Sequence, residues 1–235
     1  MKMRLSAGKD GSVVEWGLMD LRIRTAVIAT GMSCFVLVEA LLADLSLLAG
    51  ISKIFASCGF LAVALLSGAL RSTYGRILLA GLALSFLGDV FLRGETHEAF
   101  LAGLTAFLLA HLAYVWAFIV SGVNTRWMLI AAVPITGIAI VVGQWLAPHI
   151  APYLDLPVHL YIVVISAMVI SAFGTRGKGG SVLILTGALL FFLSDLSVAA
   201  LRLIQTDFPT YIWGLPLYYA GQLCLALSAS QSRSH

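Results

Sequence analysis

Eight apolar runs, each close to the length that crosses a bilayer as a helix, follow one another along most of this chain. A hydrocarbon core about 30 Å thick is spanned by about 20 helical residues, and a helix satisfies every backbone N–H and C=O internally. The runs are Thr25–Ala43, Lys53–Leu70, Gly75–Arg93, Glu98–Val120, Trp127–Leu146, Val158–Gly174, Gly180–Leu203 and Tyr211–Ser230. They predict an all-α integral membrane protein of eight transmembrane helices. Residues 1–24 form a basic cytosolic lead-in, 25–230 the membrane domain, and 231–235 a short cytosolic tail. The lead-in is long and no A-x-A site follows the first run, so that run is expected to stay as a helix rather than leave as a signal peptide. Charged residues make up 11% of the chain, against about 25% in a soluble domain. The net charge of +3 comes without a basic patch interleaved with aromatics, which excludes a nucleic-acid footprint. Cys34, Cys58 and Cys224 fall inside apolar runs with no CxxC spacing, as small hydrophobes do.

Basic residues orient the chain. With the N-terminus cytosolic, 11 of the 14 Lys and Arg fall on the cytosolic side, leaving only Lys53, Arg93 and Arg202 opposite. This asymmetry follows the positive-inside rule and puts both termini in the cytosol of the cytoplasmic membrane, were the chain bacterial.

Two of the runs each contain a buried acid, Asp89 and Asp195. An ionisable side chain at the centre of a membrane helix costs about 2.5–3.5 kcal/mol, so two of them point to a task. Aligning Asp89 with Asp195 also aligns Leu79/Leu185, Gly81/Gly187, Leu84/Leu190, Phe86/Phe192 and Leu87/Leu193. This suggests two parallel four-helix repeats related by an axis along the membrane normal. The third and seventh helices would then face each other and bring the aspartates together. Counted by helical rise, Asp89 lies roughly 20 Å beyond Arg76 and Asp195 roughly 25 Å beyond Lys178, both in the half of the bilayer away from the cytosol.

Other polar groups share that depth. The fourth run aligns Phe100, Gly103, Phe107, His111 and Tyr114 on one helical face. Lys53 opens the second run on the side of the aspartates, either snorkelling to the interface or serving as counter-ion to a carboxylate or a lipid phosphate. Glu39 is interfacial or a partner for Lys53. Tyr161 and Gln222 are further polar groups at this level, Gln222 also reading as glue between helices. Ser85 and Ser194 stand near the aspartates without a G-x-S-x-G signature, which argues against a serine nucleophile. Two Asp and a His could hold zinc, yet no HxxxH or HExxH spacing is present, and no metal or cofactor is assigned. Two close carboxylates in an apolar pocket resist ionising together and share a proton, giving one acid and one base. That pair suits hydrolysis of an acetal-like bond. The same pair would serve a proton-coupled or small-molecule transporter, or fix helix register in a scaffold.

Lys53, Ser85-x-x-Gly88-Asp89, Phe100-x-x-Gly103-x-x-x-Phe107-x-x-x-His111-x-x-Tyr114, Pro157-x-x-x-Tyr161, Gly187-Ala188-x-x-Phe191-x-x-Ser194-Asp195 and Gln222 together resemble the YhhN family of membrane proteins. Its characterised animal members are lysoplasmalogenases. The resemblance runs from about Lys53 to Gln222 and implies a membrane-embedded hydrolase that cleaves the vinyl ether of a lysoplasmalogen with water. The products would be a fatty aldehyde and a glycerophospho head group. On this reading Asp89 and Asp195 are the catalytic pair and His111 orients water or a carboxylate. Lys53, Tyr114, Tyr161, Ser85, Ser194 and Gln222 surround the lysophospholipid. Oligomeric state and head group stay open.

Overall fold

A computed structural model describes residues 19–94 and 96–231. They form α1 (Leu21–Leu42), α2 (Ser46–Leu66), α3 (Thr73–Phe91), α4 (His97–Ser121), α5 (Thr125–Leu146), α6 (Asp155–Arg176), α7 (Val182–Ala199) and α8 (Tyr211–Ser228). Among the described residues there is no strand. Several helix starts follow directly from the sequence, because a short polar side chain supplies an acceptor to the first free N–H groups. Asp20, Ser72, Thr96, Asn124 and Ser181 cap α1, α3, α4, α5 and α7 in this way. Glycines in the left-handed region follow α2 (Gly68, φ 90°) and α4 (Gly122, φ 96°), where the chain must turn back.

Seven of these helices are long and apolar enough to cross a membrane, and the protein is an integral, multi-pass membrane protein. The expected eighth span coincides with a helix, α8, that is not among these seven; its 18 residues include Pro216, three tyrosines and Gln222. It tolerates them because Tyr218, Tyr219 and Gln222 are buried against neighbouring helices rather than turned to lipid.

Several boundaries differ from the sequence reading by a few residues, the start of α2 most of all. Helix α1 begins at Leu21, so Arg22 and Arg24 lie in its first turn. Helix α2 begins at Ser46, which puts Lys53 two turns inside the helix rather than at its opening. The charge made Lys53 look interfacial, whereas a buried partner allows it to sit deeper. The rest of the lead-in, residues 1–18, and residues 232–235 of the tail lie outside the described residues.

Consecutive helices pair as hairpins, α1 on α2, α3 on α4, α5 on α6 and α7 on α8. Helix α4 also packs on α6, and α2 on α8. Two glycines illustrate how closely the helices approach. A Cβ on Gly81 would lie 2.5 Å from the Tyr114 ring of α4, and one on Gly187 would lie 2.9 Å from the Gly221 carbonyl of α8. Contrary to expectation, α3 and α7 do not pack on each other. Phe107 of α4, Phe191 of α7 and Tyr218 of α8 interlock edge-to-face between them, with ring centroids 5.2–6.0 Å apart. Three large rings fill the space that two facing helices would otherwise close.

Candidate functional site

Near the end of α3, the Asp89 carboxylate is almost sealed from solvent, with the residue 4% exposed. Burial of an unpaired carboxylate is costly, and three neighbours offset it. Lys53 Nζ of α2 lies 3.3 Å from Oδ1. The Ser57 hydroxyl of α2 and the Tyr218 hydroxyl of α8 each donate to Oδ2 at 2.7 Å. Ser57 follows Lys53 by one helical turn, so both reach Asp89 from one face of α2. Tyr219 braces the arrangement, its hydroxyl 3.3 Å from Ser57 Oγ and donating to the Lys53 carbonyl at 3.3 Å.

Asp195 on α7 has different company. The Tyr161 hydroxyl of α6 donates to Oδ2 at 2.6 Å, and His111 Nε2 of α4 stands 3.8 Å from the same oxygen. Neither ring nitrogen of the fully buried His111 makes a hydrogen bond of ordinary geometry. No Lys or Arg among the described residues pairs with Asp195, in contrast to Asp89. The two carboxylates thus stand in separate polar clusters, one matched by a cation and one by a phenol and an imidazole.

Both clusters open on one cavity of about 480 Å³, whose walls are mainly aliphatic and aromatic. Lys53, Asp89, Tyr161, Asp195 and Tyr218 line it, as do Phe100 and Phe107 of the fourth helix. At one end it reaches the helix termini, where Ser46, Arg93, Arg202 and Tyr211 contribute. A mostly apolar space of this size with a few convergent polar groups is typical of a small-molecule site.

The remaining residues singled out from the sequence fall elsewhere. Tyr114 donates to Gln222 Oε1 at 3.0 Å and lies 3.1 Å from Ser85 Oγ, a buried chain that ties α3, α4 and α8 together. Ser85, His111, Tyr114 and Gln222 are not among the described residues that line the cavity. Ser194 does line it, but its hydroxyl donates to the Phe191 carbonyl one turn back in α7 at 2.7 Å. Glu39 is exposed on α1, and the partner of Lys53 is Asp89. Sequence reasoning missed Ser57, Tyr218, Tyr219, Arg93 and Arg202 as members of the site. The spacing of Ser57 from Lys53 was a usable signal, whereas nothing in the order of residues marked Tyr218 out.

The sequence model of the YhhN family matches residues 48–229. This chain belongs to the YhhN family. Similar proteins include lysoplasmalogenase TMEM86B of Homo sapiens and of Sus scrofa, each 33% identical over 162 residues, 68% of this chain and 66% of the relative. Lysoplasmalogenase TMEM86A of Bos taurus is 31% identical over 167 residues, 65% of each chain. The matched part is just under two thirds of the length of these relatives. No solved structure matches. Both carboxylates and the polar partners named above, Lys53, Ser57, His111, Tyr161 and Tyr218, lie inside the segment matched to the YhhN family.

Proposed function

We propose that this YhhN protein hydrolyses the vinyl ether of a lysoplasmalogen, with Asp195 as acid and Asp89 as base. The observation that carries the reading is that a buried carboxylate, Asp89, and a half-buried one, Asp195, line one apolar cavity with unlike partners. The names of the similar proteins supply the substrate class. The two roles follow the partners: Asp89 has the Lys53 ammonium 3.3 Å away, whereas Asp195 has no cation of Lys or Arg among the described residues and faces a phenol and an imidazole. Protonation of the outer vinyl carbon by Asp195 gives an oxocarbenium ion, which the Asp89 carboxylate stabilises across the cavity. Water adds to the cationic carbon as Asp89 takes its proton, giving a hemiacetal. Collapse returns the hemiacetal proton to Asp195 while Asp89 protonates the departing glycerol oxygen. Aldehyde and glycerophospho head group leave, and both carboxyls regain their starting states. Tyr161 and His111 hold Asp195 toward the cavity, and the Ser85–Tyr114–Gln222 chain positions the helices around it.

The eight helices are, on this reading, all spans, arranged as two parallel repeats with both termini cytosolic. The packing supports the repeat. Helices α1 to α4 pair as α5 to α8 do, and the contact of α2 with α8 has its counterpart in α6 with α4. Asp89 on α3 takes its partners from α2 and α8, and Asp195 on α7 takes its partners from α6 and α4.

The test is aldehyde release from lysoplasmalogen by the purified full-length protein in detergent. Turnover is expected, and Asp89→Asn and Asp195→Asn should each lower it by about 10²–10⁴-fold while eluting as folded protein. No cleavage of any ether or ester lysolipid, together with solute uptake into vesicles, would replace the hydrolase with a transporter.

A further inference from the structure

With Lys53 committed to Asp89, the cavity needs another group to receive the phosphate of a lysolipid. We propose that Arg93 and Arg202 form a phosphodiester clamp at the open end of the cavity, holding the head group of a single-chain lipid whose tail fills the apolar interior. This rests on the lysolipid reading given above. Three cations, Lys53, Arg93 and Arg202, stand on the side of the bundle where α3 and α7 end, and all three line the cavity. Both arginines are exposed at that end, and neither pairs with a carboxylate among the described residues.

Their placement is built into the helix ends. Arg93 follows the α3 cap residue Leu92, and its guanidinium lies directly over Gly50 of α2, where any Cβ would overlap it. Beyond α7 the chain widens into a π-helical turn, Ala200–Ile204. From that turn Arg202 Nη2 donates to the Leu92 carbonyl at 2.6 Å. The two guanidinium groups are thus gathered on one terminus, and a cation there complements the helix dipole. A guanidinium carries five N–H donors in a fork that matches phosphate oxygens, and the bond to Leu92 occupies one of those of Arg202.

The spacing also fits the substrate class. Arg93 stands four residues beyond Asp89, about 6 Å along the helix, and Arg202 seven beyond Asp195, about 10 Å. In a lysoplasmalogen five bonds separate the vinyl ether oxygen from phosphorus, a reach of about 6 Å by ordinary covalent geometry. A phosphate held by the arginines therefore puts the vinyl ether at the level of the carboxylates.

Binding separates this proposal from the hydrolysis itself. The full-length protein in nonionic detergent is titrated with a saturated alkyl-ether lysophosphatidylcholine, which has no vinyl bond, and with the matching alkylglycerol, which has no phosphate. The wild type is expected to bind the phosphorylated ether at least tenfold more tightly. Arg93→Gln and Arg202→Gln should erase that preference while the alkylglycerol affinity, which also reports on folding, stays unchanged. Gly50→Leu, which displaces the Arg93 guanidinium without changing charge, should reproduce the effect of Arg93→Gln. A double Arg→Gln variant that keeps the preference would overturn the clamp. So would displacement of the lysolipid by an equal concentration of inorganic phosphate, which would make this a site for the free anion. Loss of vinyl ether cleavage with the preference intact would instead overturn the hydrolase reading alone.

Discussion

Replacing Lys53 by Met tests whether the lysine belongs to Asp89 or to the substrate. At 3.3 Å opposite unit charges attract by about 5 kcal/mol at an effective dielectric near 20. Desolvation of both groups removes most of that gain, but deleting one partner leaves a buried charge uncompensated, at about 3–5 kcal/mol. Ser57 and Tyr218 still donate to Oδ2, so Lys53→Met should fall near the lower limit, about 3 kcal/mol. Asp89→Asn should lose about 2 kcal/mol, because the Lys53 side chain, 17% exposed, is left without its partner but can turn toward the cavity. The double variant should also lose only about 2 kcal/mol, a coupling of about 3 kcal/mol. Unfolding by SDS in mixed micelles, followed by tryptophan fluorescence, measures all three. Additive losses, within about 0.5 kcal/mol, would refute the pairing and return Lys53 to the lipid phosphate.

Tyr161→Phe removes the hydroxyl that holds Asp195. Asp195 becomes an anion as it gives up its proton, and a hydrogen bond to a charged group is worth about 1.5–3 kcal/mol, so the turnover number for aldehyde release should fall about 10- to 100-fold with the protein still folded. Gly81→Leu and Gly187→Leu drive a side chain into Tyr114 and into the Gly221 carbonyl and should each destabilise by about 1–3 kcal/mol or more. Gly137→Leu, with open space at its Cβ position, should not destabilise in the same unfolding assay. Ser194→Ala should keep both stability and turnover, because it removes only a bond back to its own helix.

Much of the site was legible because charge in an apolar run is expensive and therefore conspicuous. Asp89, Asp195 and Lys53 stood out for that reason, and they do line one cavity. Tyr161 followed from its depth. Hydroxyl groups carry no such cost: Ser57 was marked only by standing one turn from Lys53, and Tyr218 by nothing, although both donate to Asp89. Arg93 and Arg202 sat where interfacial arginines belong, and only the folding of Leu92 and Gly50 around them sets them apart. The helices themselves were plain from run length, but their neighbours were not. The expectation that α3 would face α7 failed because hydropathy does not report that Phe107, Phe191 and Tyr218 occupy the space between.

The depth of Lys53 within α2 bears on how the chain enters the membrane during synthesis. Helix α2 emerges from the ribosome before α3, carrying a lysine whose counter-ion has not yet been made. At the centre of a helix an unpaired lysine costs about 2.5–3.5 kcal/mol on insertion, and Lys53, two turns inside α2, carries part of that cost. Relief comes only when α3 delivers Asp89 through the short connection from Ser67 to Ser72. The two helices are therefore a single unit of insertion, and the ion pair that later poises Asp89 in the cavity first serves as the latch that commits this hairpin to the bilayer.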